Sequence, residues 1–189
     1  MMGFTARDRA NGELLSILDY DNPRAQIRKA DIECHLCGGD LIIKHGLKLI
    51  KHFSHKPNAP CKCDYARHPE SYEHLFFKRL IAQELGNEFS EYLGIKPVLE
   101  YPIHEVKRIA DIAFEFPSGW VVAHEIQLAG ITTEQLEQRT NDYRNAGVDV
   151  IWWLGKTANT FTNREWVIRN FGECYVIDYE AVREAGESQ

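Results

Sequence analysis

From Ser71 to Gly86 the apolar residues Leu75, Phe76, Leu80, Ile81 and Leu85 recur at helical spacing, with Ser71 placed to cap the helix and Gly86 to end it. Three shorter runs follow, "KPVLEYPI", "RIADIAFEF" and "WVVAHEIQ", the last two joined by "PSG". Their length and β-branched and aromatic content predict strands, and the tight connection predicts a meander. The stretch from Thr132 to Ala146 is polar and helix-compatible, with Gly147 at its end, and "VDVIWWLG" behind it reads as a buried strand. The predicted order is helix, three strands, helix, strand, a mixed α/β sheet. "REWVIRNFGECYVIDYEAV" adds a further helix or strand that the pattern does not place.

Ahead of this core the pattern breaks up. To Ala30 the chain is mixed, with "NGELLSIL" reading as a turn into a strand and "DNPR" as a turn or helix start. Residues 31–68 alternate short β-like runs with Gly, Pro and Asn, as suits a metal-stapled hairpin. The expected organisation is a β-rich segment over 1–30, a zinc-knuckle-like module over 31–68, a larger α/β domain over 69–180 and a tail over 181–189.

Composition narrows the class. With 189 residues, 44% of them hydrophobic, the chain can bury one good core and a small satellite. No apolar run approaches the ~20 residues of a membrane span, and Met1 to Asn11 lacks the apolar core of a signal peptide, so the expected compartment is the cytoplasm with no membrane partner. A formal net charge of −6 argues against coating nucleic acid through bulk electrostatics. Locally, however, Lys44, Lys48, Lys51 and Lys56 meet no intervening acid, and Lys78 and Arg79 follow. Lys44, Lys48 and Lys51 are therefore candidate phosphate contacts that would position DNA without reading its sequence.

Four of the five cysteines, Cys34, Cys37, Cys61 and Cys63, crowd into the first third among histidines. In a reducing compartment that clustering reads as metal binding. "CHLCGG" has the Cys-x-x-Cys spacing, with glycines to turn tightly behind it, that presents two thiolates to one zinc. "HFSHKPNAPCKC" offers four further ligands where two are needed. The preferred set is Cys34, Cys37, His55 and Cys61, with His52 and Cys63 as alternatives. A filled shell of four leaves no open position, so the zinc is expected to be structural. Cys174, alone in an apolar run, reads as a buried thiol.

In the core, alternation sets Asp111 on the opposite side of its strand from Ile112 and Phe114, and Glu125 and Gln127 on a shared face of theirs, about 7 Å apart. Two adjacent strands can bring the three together. Converging carboxylates suit Mg²⁺ or Mn²⁺, with the Ile126 carbonyl as a further ligand, and such an ion activates water for phosphodiester hydrolysis. Arg139 and Tyr143, four apart on the next helix, share a face that can be aimed at the same place. Trp152 and Trp153 point to opposite faces of their strand, and core packing is the expected use of both.

"SYEHLFFKRLI", "RIADIAF", "HEIQLAGIT" and "RTNDYRNAGVDVIWWLG", with "CHLC" and "HFSH" ahead of them, together resemble the competence protein CoiA family over roughly residues 30 to 155. The resemblance implies a PD-(D/E)XK nuclease core, αβββαβ, with an N-terminal zinc-binding β-hairpin. It implies that Asp111 and Glu125 hold the catalytic metal, that Gln127 stands where the motif usually has lysine, that Glu73 adds an acid from the first helix, and that at least one histidine of "HFSH" binds zinc. Gln127 can orient by hydrogen bonds but carries no charge. Arg139 is the expected compensation, its loss predicted to remove most cleavage and leave the fold. The implied partner is DNA, with recombination or processing proteins, or a second copy of the chain, beside it. The alternative reading is a catalytically silent DNA-binding scaffold on the same fold.

Overall fold

A computed structural model describes residues 3–46, 49–56 and 70–187. The chain divides after Ile81 into two compact units.

In the first unit, β1 (Thr5–Asp8) lies between β2 (Leu14–Ser16) and β3 (Ile32–Glu33), both antiparallel to it, and the short helix α1 (Pro23–Gln26) starts on a proline whose fixed φ suits a first helical turn. Because β1 pairs with β3, the border expected at residue 30 falls inside a paired sheet. The predicted hairpin is formed by β4 (Leu41–Gly46) and β5 (Leu49–His55), and Gly3 bridges to Phe53 on it. Helix α2 (Tyr72–Glu88) follows. Lys78 is not a surface base: it is fully buried, with its Nζ 2.9 Å from Glu70 Oε1 and 5.8 Å from the centroid of the Phe4 ring.

The second unit is built on a five-stranded sheet in the order β10-β9-β8-β7-β6. β6 (Pro97–Ile103), β7 (Arg108–Glu115) and β8 (Val121–Gln127) form the predicted antiparallel meander. Helix α3 (Thr133–Asn145) returns the chain to β9 (Val148–Gly155), which runs parallel to β8. α3 opens with a capping box between Thr132 and Gln135. Helix α4 (Phe161–Phe171), capped by Thr160 and ended by Gly172 in the left-handed conformation, leads to the short parallel edge strand β10 (Tyr175–Ile177). The expected tail is instead mostly helix α5 (Tyr179–Glu187). The element order is thus αβββαβ with one αβ extension, and both prolines of β6 sit on an edge strand, where a missing N–H donor is tolerated.

One face of the sheet buries Ala123, Val150, Trp152 and Leu154 against Leu136 and Tyr143 of α3 and Val167 of α4. The opposite face carries an aromatic group around His124. Trp153 Nε1 donates to His124 Nδ1 at 3.0 Å, so the imidazole proton sits on Nε2, 3.0 Å from the Tyr92 hydroxyl. Burial pushes the His124 pKa down to about 3. Between the unfolded value near 6.5 and about 3 the unfolded chain binds a proton that the folded one does not. Stability should therefore fall as pH drops below about 6.5, by up to ~1.4 kcal/mol per pH unit. Urea titrations at pH 7 and pH 5 should show this, and His124→Gln should flatten the dependence.

Candidate active site and metal centre

The β7–β8 ladder runs from Glu115↔Val121 to Ile112↔His124 and stops there. Beyond it β7 stays with β6 as far as Arg108, while β8 stays with β9 as far as Gln127. The two strands part at Asp111 and Glu125, leaving backbone N–H groups without ladder partners. The side chains satisfy them: the Ile126 N–H donates to Asp111 Oδ2 at 2.9 Å and the Asp111 N–H to Glu125 Oε1 at 3.3 Å. Each carboxylate is thus fixed by the backbone of the other strand, which explains why two acids lie buried in otherwise apolar strands.

Helix α3 supplies the rest. Tyr143 donates its hydroxyl to Glu125 Oε1 at 2.5 Å, and Arg139 donates to Glu125 Oε2 and, at 2.8 Å, to Gln127 Oε1. The guanidinium lies 4.9 Å from the centroid of the Trp152 ring, which is itself held by a bond from Nε1 to Thr140. Gln127 Nε2 donates to the Ala129 carbonyl, so its amide is oriented at both ends. The structure therefore brings together Asp111, Glu125, Gln127, Arg139 and Tyr143. Trp152 is core, and Trp153 is half-buried and committed to His124.

The loop after Gln127 is held close to the end of β9. A Cβ on Gly155 would lie 2.7 Å from Leu128 Cδ2 and 3.1 Å from its Cα, so only glycine admits this approach. Asn163, buried at the start of α4, donates to the Ile131 and Ala158 carbonyls and accepts from Thr133, tying the loops together. Gly155→Ala should displace this loop and lower whatever activity depends on Gln127, with a smaller effect on melting.

Burial pushes the Glu125 carboxyl up; Arg139 beside it pulls down and Asp111 pushes up again, leaving it above the ordinary carboxylate range. Burial works against the Arg139 charge, but Glu125, Tyr143 and Asp111 together outweigh it and hold the guanidinium protonated. The Tyr143 phenol is raised by burial and then by Glu125, so it stays a donor. Asp111 and Glu125 offer hard carboxylate oxygens of the kind that suit Mg²⁺ or Mn²⁺.

Glu73, expected to contribute an acid, lies exposed in the first turn of α2, where a carboxylate complements the helix N-terminus. Sequence reasoning passed over Glu100. It is 1% exposed, has a left-handed φ of 54°, and occupies the register slot facing Asp111 between Leu99↔Ile112 and Tyr101↔Ala110. A buried acid in a conformation that costs a non-glycine residue of the order of 1 kcal/mol is a marked position. Only the acid within "VLEYP" hints at it.

In the first unit, one ligand atom from each of Cys34, Cys37 and His55 lies within 4.8 Å of the others. The turn that presents the thiols is closed by Gly38 N–H to the Cys34 carbonyl and Cys34 N–H to the Gly39 carbonyl, both 2.8 Å, with Gly38 at φ +69°. A Cβ on Gly39 would stand 3.3 Å from both Cys37 Sγ and the His55 ring, so glycine keeps the space between them clear. Tetrahedral zinc needs ligand atoms under ~4 Å apart, a small closure from this arrangement. His52 is three residues from His55 on β5 and so faces the other way, with Nδ1 on the Ile50 carbonyl at 2.8 Å. Cys61 and Cys63 lie outside the described residues, as does Lys48.

Lys44 is exposed on β4. Lys51 is not available to phosphate: its Nζ donates to the Tyr20 carbonyl at 2.5 Å and the Leu18 carbonyl at 3.3 Å, joining β5 to the preceding segment. Lys51→Ala should cost about 1–3 kcal/mol of stability, as loss of charged hydrogen bonds does, and leave any DNA affinity unchanged once folding is restored. Cys174 is half-buried just before β10, and burial pushes its thiol pKa up.

A mixed αβββαβ sheet with paired acids where two strands part defines a nuclease-like domain of the PD-(D/E)XK type. Residues 70–183 match the family described as "Competence protein CoiA, nuclease-like domain", and residues 20–64 match "Competence protein CoiA, N-terminal domain". The chain belongs to the competence protein CoiA family. It is 29% identical over 141 residues to Competence protein CoiA of Bacillus subtilis (strain 168), an alignment covering 72% of this chain and 36% of that protein. The chain thus spans about a third of the length of that relative. Among solved structures, a repair endonuclease from Pyrococcus abyssi is similar over 59% of this chain and 48% of that one, at 20% identity and a TM-score of 0.33, too low to bear on the reading. No described helix is long and apolar enough to cross a membrane.

Proposed function

We propose that this chain hydrolyses phosphodiester bonds of DNA with a divalent cation, Mg²⁺ or Mn²⁺, held by Asp111 and Glu125, in the uptake, recombination or processing of DNA. The observation that carries the reading is the fork of β7 and β8, which fixes both carboxylates and sets Gln127 beside them. Carboxylate oxygens held in place at one point of the sheet are the hard ligands a divalent ion takes. When bound, such an ion lowers the pKa of a water and stabilises charge on a phosphate.

The chain's own residues do the rest. Arg139, polarised against Gln127 and Glu125, supplies the positive charge that the glutamine lacks and neutralises a phosphate oxygen. Gln127, held through Ala129, orients water or phosphate by its amide. Tyr143 keeps Glu125 in place and favours its ionised form. The cysteine and histidine cluster holds a structural zinc, and Lys44 contacts the DNA backbone. Replacing Lys44 should weaken DNA binding uniformly across sequences and reduce its salt dependence by about one phosphate contact.

A second reading has its own support. Both Glu125 oxygens are engaged, by Arg139 on one side and by Tyr143 with the Asp111 N–H on the other. A site neutralised from within fits a silent DNA-binding scaffold. Metal titration separates the two: under the nuclease reading Mn²⁺ binds the wild type and fails to bind Glu125→Gln, while a scaffold binds DNA equally with or without the ion.

A further inference from the structure

Around the first half of β9, reaching along it as far as Trp152, lies a cleft of about 400 Å³ whose acids and outer rings the proposed chemistry does not use. Trp120, Tyr92, Tyr175 and Phe171 line it, together with Asp149, Glu173 and Arg144. Its volume falls within the range of small-ligand and side-chain pockets. The side chains of its wall are fixed. Trp120 stacks on Phe116 with centroids 4.8 Å apart and donates Nε1 to Asp149 Oδ2 at 2.7 Å, leaving the indole 49% exposed. Tyr175 packs on Trp153 at 4.7 Å and donates its hydroxyl to Glu173 Oε1 at 2.6 Å.

Two features state what chemistry this cleft accepts. Its aromatic wall already holds one guanidinium, with Arg144 5.5 Å from the centroid of the Phe171 ring, so its ring faces suit planar cations. Its acids outnumber its bases, and each is held at one oxygen by a neutral aromatic donor, which leaves the other oxygen to face a further donor. A nucleic acid strand would bring phosphates against Asp149 and Glu173. A cationic side chain would find aromatic faces and two carboxylates, the combination that binds arginine best.

We propose that this cleft docks an arginine-bearing segment of a partner protein, with the guanidinium against its aromatic wall and facing Asp149 and Glu173. Asp149 and Glu173 take no part in the proposed nuclease centre, and the site stands whether or not that centre is active.

The test uses the full chain and three capped pentapeptides, Gly-Leu-Arg-Leu-Gly and its citrulline and glutamate counterparts, with an oligothymidylate as a fourth probe. Binding is read by calorimetry and by the indole N–H resonance of Trp120. The arginine peptide should shift that resonance and bind about tenfold more tightly than the citrulline one, whose shape is the same but whose charge is absent. Asp149→Asn with Glu173→Gln should remove that preference without changing the melting temperature, and Trp120→Leu should weaken both peptides. Equal binding of arginine and citrulline peptides, preference for the glutamate peptide, or displacement of the resonance by oligothymidylate alone would overturn the proposal, the last pointing to a single-stranded DNA site.

Discussion

Replacing Arg139 with alanine is expected to lower the stability of the second unit by about 3–5 kcal/mol, the usual consequence of stranding one member of a buried ion pair. The Glu125 side chain is 2% exposed, and Arg139 is its one cationic partner among the described residues. The simpler expectation from sequence, that this arginine can be removed without affecting the fold, is corrected by that burial. The same substitution removes the positive charge from beside Gln127, so cleavage should fall as well. The two effects separate in a cycle. Glu125→Gln with Arg139→Ala removes both members of the pair and should recover most of the lost stability while staying inactive. Denaturant unfolding of the four proteins measures the coupling, and additive losses would show that the pair is not what holds this corner.

Zinc removal should have the second large effect. The first unit has a small core and short strands, so a bound metal is expected to contribute several kcal/mol to its folding. Chelation, or Cys34→Ser, should unfold the β4–β5 hairpin region and release one equivalent of zinc per chain. His52→Ala should retain the metal, because His52 faces away from Cys34 and Cys37, whereas His55→Ala should lose it. Purified, unchelated protein without zinc would contradict this assignment.

Much of the second unit is legible in the sequence because periodicity and chemistry agree there. "VDVIWWLG" coincides with β9, and the helix and meander are displaced by a residue or two at their ends. Asp111 stands out as an acid among apolar strand residues, and Glu125 with Gln127 follows from the two-residue repeat. The fork itself is a tertiary fact: nothing local says that β7 and β8 part after Ile112, so the mutual capping by the two carboxylates is invisible until the strands are paired.

Other features escaped for different reasons. Helix α4 begins at Thr160 and ends at Gly172, signals easily lost because Phe161 is 78% exposed and blurs the apolar face. Glu100 was unremarkable because a left-handed residue within a strand leaves no trace in polarity. Lys51 and Lys78 read as surface bases, yet one tethers backbone carbonyls and the other is buried against Glu70. Charge runs report composition, and partners are decided by folding.

The central claim is most directly tested by cleavage of plasmid and single-stranded DNA in Mg²⁺ and Mn²⁺ by the wild type, Asp111→Asn and Glu125→Gln, with folding verified by unfolding curves. The account predicts metal-dependent cleavage that drops about a thousandfold or more in both variants, as loss of several kcal/mol of charge stabilisation implies. DNA left intact by folded wild type with either metal, while binding persists, would contradict it and establish the silent scaffold instead.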